Sequence, residues 1–172
     1  MLAAVSLWFR SLVHGILLLR PINAFGKSTL KRLHNSSIYS GKYVFPAAGL
    51  LPIKYLPGHD FLISSSGTDT IASRVYFGDA FSFEPATARV LTDFFKVSRS
   101  FFDVGAHTGL YSLMAATFKN VQEIHAFDPE PRVFSMLKRN VEANDFTQIN
   151  TQNKGVAEHV GGRLDGVGEG AP

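Results

Sequence analysis

The chain of 172 residues contains no cysteine. That excludes disulfides, thiolate zinc sites and a cysteine nucleophile, and it leaves the compartment to other signals. No Gly-x-Ser-x-Gly elbow is present, so a serine hydrolase of the α/β type has no support. The six histidines, at positions 14, 34, 59, 107, 125 and 159, include no i, i+4 pair around an acid. No metal site is expected. Excess charge is missing too: 17 basic against 14 acidic residues leave +3, with the basic residues scattered. No nucleic-acid partner is expected from that balance.

An uninterrupted apolar run of spanning length is also lacking. Met1 to Arg20 is mostly apolar, yet Ser6, Arg10 and His14 recur every four residues and would form a polar stripe on a helix. Arg10 near its middle would cost roughly 2.5–3.5 kcal/mol on insertion scales. An amphipathic helix ended by Pro21 is the expectation, docked on the protein or a partner subunit. The sharper version is a peripheral membrane contact through Trp8, Phe9, Arg10 and Arg20. With no cleavage site after a basic start, a cytoplasmic location is the default.

What the chain does have is the content of a folded domain, 45% hydrophobic and 18% charged. Its most informative stretch is Phe101-Phe102-Asp103-Val104-Gly105-Ala106-His107-Thr108-Gly109, followed by Glu123-Ile124-His125-Ala126-Phe127-Asp128-Pro129. Each apolar run ends in an acid, and a glycine-bearing turn and a helix-period segment lie between the two runs. The pattern reads as strand, loop, helix, strand, acid. A dinucleotide fingerprint starting at Gly105 needs glycine at positions 107 and 110, where His107 and Leu110 stand. The pyrophosphate reading therefore weakens, and with it a nicotinamide-dependent oxidoreductase.

Asp-x-Gly-x-x-x-Gly suits a ligand with a charged amino-acid end and an adenosine but no phosphate, such as S-adenosylmethionine. In that reading Gly105 and Gly109 keep the turn clear of side chains, with Ala106 and His107 between them. Asp103 offers an acceptor near the ligand ammonium. Asp128 lies 128 − 109 = 19 residues past the last glycine, close to the spacing at which an acid meets a ribose diol, and Pro129 follows it. A carboxylate can accept from both hydroxyls at once. The plainer alternative for either acid is a helix cap or a solvated loop end. No catalytic residue is assigned: His107 is expected to hydrogen-bond backbone or ligand, and Tyr111 to pack on a helix face.

These residues carry a resemblance. The blocks Phe83-Glu84-Pro85, Asp103 to Leu113, Ala126-Phe127-Asp128-Pro129-Glu130-Pro131 and Leu137 to Asn144 resemble the FkbM-type family of S-adenosylmethionine-dependent methyltransferases over about Tyr43 to Glu158. The family more often has Asn at the place of His107 and Glu at the place of Asp128. An aspartate keeps the bidentate acceptor on a shorter stem. The resemblance implies O-methylation of a small-molecule or glycan-type hydroxyl. It also implies a sheet whose first strand lies in the middle and third at the rim, and a domain running roughly another hundred residues. On that footing the chain reads as the first half of such a domain, truncated after its third strand. A non-catalytic fragment that binds a partner or a membrane surface is the remaining alternative.

The expected fold is α/β: a partial Rossmann-like methyltransferase sheet preceded by a small antiparallel β layer and N-terminal helices. Residues 1–40 form the helical segment, 41–98 the small strands plus a covering helix, 99–158 the first half of the cofactor domain and 159–172 a glycine-rich tail. Leu51 to Leu56, Phe61 to Ser64 and Ile71 to Phe77 read as strands. Pro85 opens a helix with Val90, Leu91, Phe94 and Phe95 on one face. Leu110, Leu113, Met114 and Phe118 line one crossover helix, and Phe134, Leu137 and Val141 the next. A polar strand around Gln148 to Gln152 belongs near an edge. Gly26-Lys27-Ser28-Thr29 lacks the earlier glycine and the strand of a phosphate loop and reads as a connection. Asn35-Ser36-Ser37 matches a glycosylation acceptor only formally.

Overall fold

The computed structural model describes residues 46–157. The N-terminal apolar segment, the Gly26 to Thr29 connection, the Asn35 acceptor and the glycine-rich tail lie outside the described residues.

The described chain opens with an antiparallel pair, β1 (Ala48–Ile53) and β2 (Phe61–Ser66), in which Leu51 faces Ile63 and Ile53 faces Phe61. These four side chains are buried, while Leu50 points out at 50% exposure. That alternation is the period-2 signature of a strand with one wet face. The turn between the strands carries the Lys54–Asp60 ion pair and buries Tyr55.

Thr70–Phe77 is a helix, α1, and not the third strand read from the sequence. Ile71, Ser73, Val75 and Phe77 alternate as a strand would, but Asp69 overrides the alternation. Its Oδ1 accepts from the backbone N–H of Ile71 at 2.9 Å and of Ala72 at 3.1 Å, satisfying donors that a helix start leaves free. Ala72, Val75 and Tyr76 then fall on one buried stripe at helical spacing. A short 3-10 turn (Ala80–Ser82), closed by a capping box from Asp79, leads on.

Helix α2 (Pro85–Phe95) has proline in its first turn, as expected. Its buried face agrees with the sequence reading in part: Phe95 is buried and Leu91 packs on the core, but Ala88 and Thr92 complete the inward face while Val90 is 55% and Phe94 60% exposed. Small residues are wanted inside because Tyr55 comes close, its hydroxyl 2.6 Å from Thr92 Oγ1. Thr92 also donates to the Ala88 carbonyl at 2.6 Å, so the polar atom is fully paired in the core.

A parallel three-stranded sheet follows in the order β3-β4-β5, formed by Ser100–Val104, Glu123–Phe127 and Ile149–Gln152. Helices α3 (Leu110–Ala116) and α4 (Pro131–Glu142) make the crossovers. Leu110, Leu113, Met114 and Phe118 are buried, as is Leu137, and Phe134 and Val141 pack against the same core. Strand β5 stands at one rim, with Asn150 exposed. Among the described residues β3 forms the other rim and β4 the centre; the third strand of the parallel unit lies at a rim, as the resemblance implied. Ile124 and Ala126 are fully buried on the helix-covered face of the sheet. On the opposite face Phe102 is 62% and Val104 59% exposed, and the Phe102 ring stacks on His125 at 4.8 Å. The architecture is thus α/β, a partial Rossmann-like layer beside a small antiparallel pair.

Candidate functional site

The site grows from the C-terminal ends of β3 and β4, where parallel sheets leave backbone groups and loops free to meet a ligand. In register, Asp103 pairs with Ala126 and Val104 with Phe127, so the Gly105 turn and Asp128 emerge side by side. Backbone N–H groups of Gly105 and Ala106 both donate to the Phe127 carbonyl at 2.9 Å. The next amide, that of His107, donates to Asp128 Oδ2 at 3.0 Å. Asp128 Oδ1 accepts from the Glu130 N–H at 3.0 Å. Asp128, 6% exposed, is therefore a staple between the glycine turn and the start of α4. Pro129 is exposed beside it, and Ala106 is buried under the turn.

Asp103 plays the matching part for α3. Its Oδ2 accepts from the Ser112 N–H at 3.1 Å and hydroxyl at 2.6 Å, both inside the fold. Oδ1 receives no hydrogen bond from the described residues. Burial pushes the Asp103 carboxyl above the usual aspartate range; the Ser112 hydrogen bonds pull it down, and the negative charge of Asp128 pushes it up again. The two acids at the strand tips are therefore close enough for each to feel the other's charge.

A raised carboxyl has a defined consequence for stability. Between the ordinary aspartate value of about 3.9 and its raised folded value, the folded chain holds a proton that the unfolded chain has lost. Stability contributed by Asp103 is complete below that window and falls as pH rises through it. Urea melts from acid to neutral pH are expected to show this fall in the wild type and a flatter profile in Asp103→Asn. Parallel profiles would contradict the burial of this carboxylate.

The two glycines of the motif have different jobs. Gly105 has φ +76°, and a Cβ there would meet nothing within 4 Å, so the turn presents clear space above its backbone. Gly109 has φ +83°, and a Cβ there would stand 2.5 Å from Leu137 Cδ1. Its missing side chain makes room for α4. His107 also sits in the left-handed region, at φ 51°, a conformation in which Asn, Asp and His are enriched among non-glycine residues.

Two residues at the site escaped the sequence reading. Asn140, fully buried on α4, accepts from the Ser64 N–H at 2.7 Å and donates to the Thr108 carbonyl at 2.8 Å. It ties the antiparallel pair to the glycine turn. The only signal was a polar residue three places after Leu137 on the apolar face of a helix. Glu84 sits at φ 43° just before Pro85 and makes no capping bond. Its Oε2 instead accepts from the Tyr111 hydroxyl at 2.8 Å. Burial, then the Glu84 carboxylate, then the charge of Asp103 push the Tyr111 phenol strongly upward. Tyr111 stays protonated at neutral pH and is a hydrogen-bond donor there, not a base. Among the described residues no cluster of three or more His, Asp or Glu could hold a metal, and no helix is long and apolar enough to cross a membrane.

No family model matches the chain, and no curated protein matches it significantly. Solved structures share part of the backbone layout. A SAM-dependent methyltransferase from Agrobacterium tumefaciens is similar at a TM-score of 0.44 and 18% identity, covering 62% of this chain and 32% of that one. The M. jannaschii tRNA m1G37 methyltransferase is similar at a TM-score of 0.36 and 23% identity, over 62% of this chain and 31% of that one. A precorrin-6y C5,15-methyltransferase from Geobacter metallireducens follows at 0.33 and 16%, over 38% and 36%. The chain spans about a third of the length of these proteins. Overlap at this level describes backbone placement and assigns no activity.

Proposed function

We propose that residues 99–158 are the donor-binding half of an S-adenosylmethionine-dependent methyltransferase of the FkbM type. The observation that carries this reading is the pair of buried acids at the ends of two adjacent parallel strands, with the Gly105 to His107 turn beside them and clear space over Gly105. That cradle fits a ligand lacking a pyrophosphate, because only one glycine of the turn opens to solvent and Asp128 already consumes the His107 amide. Asp103 Oδ1 remains to accept from an ammonium. Each Asp128 oxygen retains a second lone pair for a ribose hydroxyl, its first being held by a backbone amide.

When bound, the cofactor supplies a methyl group activated by a sulfonium. The chain's own contribution is placement: a rigid turn fixed by the Phe127 carbonyl, and acids that orient the donor for an in-line displacement. The methyl acceptor is a hydroxyl on a small molecule or glycan-type compound. A nucleic acid ranks lower because the chain carries only +3 and no basic run. Tyr111 is held protonated and does not take the acceptor proton. Titration of the folded chain with S-adenosylhomocysteine and, separately, with NAD tests the reading. Saturable heat with the first and none with the second is expected, and the reverse result would reassign the site to a dinucleotide.

A further inference from the structure

A cavity of about 380 Å3 opens beside the glycine turn, between the start of α1 and the first turns of α4. That lies within the roughly 300–1,000 Å3 range of small-molecule pockets. Thr68, Asp69 and Thr70 form one wall, and His107, Glu130 and Arg132 the other. Asp69 is the unusual member: it is 6% exposed, its Oδ1 caps α1, and its Oδ2 is buried with no hydrogen-bond partner among the described residues. A buried carboxylate oxygen without a donor is costly, and the residue that carries it lies in the cavity wall.

Resting on the methyltransferase reading above, we propose that this cavity binds the methyl acceptor, and that the acceptor is a polyhydroxylated, sugar-like molecule that donates a hydroxyl to Asp69. The chemistry of the walls selects that class. The lining mixes acceptors, Asp69 and the remaining lone pairs of Glu130, whose two oxygens cap α4, with donors, the Arg132 guanidinium and the Thr70 hydroxyl, and a sugar hydroxyl both donates and accepts. Two carboxylates disfavour a phosphate or carboxylate ligand, and a simple amine leaves the Arg132 guanidinium without a counterpart. Val133 and Met136 add an apolar strip to the same cavity, suited to the C–H face of a sugar ring. His107 joins the two sites: its backbone N–H is held by Asp128 while the residue lines this cavity.

The test uses the full chain and saturation-transfer NMR with the methyl glycosides of glucose, galactose, mannose and fucose, alongside a calorimetric titration with S-adenosylhomocysteine. Arg132→Gln changes an exposed side chain, and Asp69→Asn keeps the helix cap while replacing the orphaned oxygen. At least one glycoside is expected to give transfer signals in the wild type, weakened at least about tenfold in affinity by either variant, with S-adenosylhomocysteine binding unchanged. Circular dichroism identifies a variant that fails to fold, and Arg132→Gln then decides alone. Glycoside signals that survive in the folded variants would overturn the site. A chain that binds S-adenosylhomocysteine but no glycoside would overturn the cavity's assignment and leave methyl transfer standing. Glycoside binding at Asp69 without any S-adenosylhomocysteine binding would overturn the acceptor role and the methyltransferase reading together.

Discussion

Gly109→Ala is expected to destabilise the chain by about 2–5 kcal/mol. Two terms add. At φ +83° an L-residue pays about 1–2 kcal/mol for the left-handed backbone. The new methyl would also stand 2.5 Å from Leu137 Cδ1, a contact no real Cβ tolerates. Leu137 is fully buried and cannot swing aside into solvent, so overpacking adds about 1–3 kcal/mol. Gly105→Ala is the internal control. Its φ is +76° but the space above it is clear, leaving only the backbone term of about 1–2 kcal/mol. Urea denaturation of the two variants reads the difference directly. Equal losses would show that Gly109 does not set the approach of α4 to the glycine turn.

Asn140→Ala is expected to cost about 2–6 kcal/mol, for a different reason. The amide is fully buried and serves two backbone groups far apart in sequence, the Ser64 N–H and the Thr108 carbonyl. Alanine leaves both without a partner, at about 1–3 kcal/mol each. Asn144 makes a parallel pair of bonds to the Leu62 N–H and carbonyl, at 2.7 and 2.8 Å, one turn further along α4. Loss of Asn140 alone therefore loosens the antiparallel pair without freeing it. Hydrogen exchange at the Ser64 amide is expected to accelerate along with the drop in the urea midpoint. A drop without faster exchange at Ser64 would place the damage elsewhere.

These two residues also show where sequence reading stops. The parallel unit was legible because its signals are local: apolar runs ending in Asp103 and Asp128, a glycine turn, and helix-period segments between. The polar edge strand at Ile149–Gln152 and the start of α2 at Pro85 were legible for the same reason. Ile71 to Phe77 was misread as a strand because its β-branched and aromatic residues alternate, and the capping role of Asp69 shows only in the structure. On α2, Leu91 and Phe95 pack inward as read, while Val90 and Phe94 do not, because the approach of Tyr55, 37 residues away, favours Ala88 and Thr92 there. Asn140 and Glu84 depend on which elements meet in space, and no periodicity carries that information. The separate work of Gly105 and Gly109 was invisible for the same cause, since one faces open space and the other Leu137.

The central claim is that the Gly105 turn beside Asp103 and Asp128, with clear space over Gly105, receives a sulfonium nucleoside. Calorimetric titration with S-adenosylhomocysteine, on the wild-type chain and on Gly105→Leu, tests it most directly. Saturable binding in the wild type is predicted, with loss of binding in a Gly105→Leu variant that still melts cooperatively. A folded wild-type chain that takes up no S-adenosylhomocysteine, or a leucine variant that binds it equally well, would contradict the account.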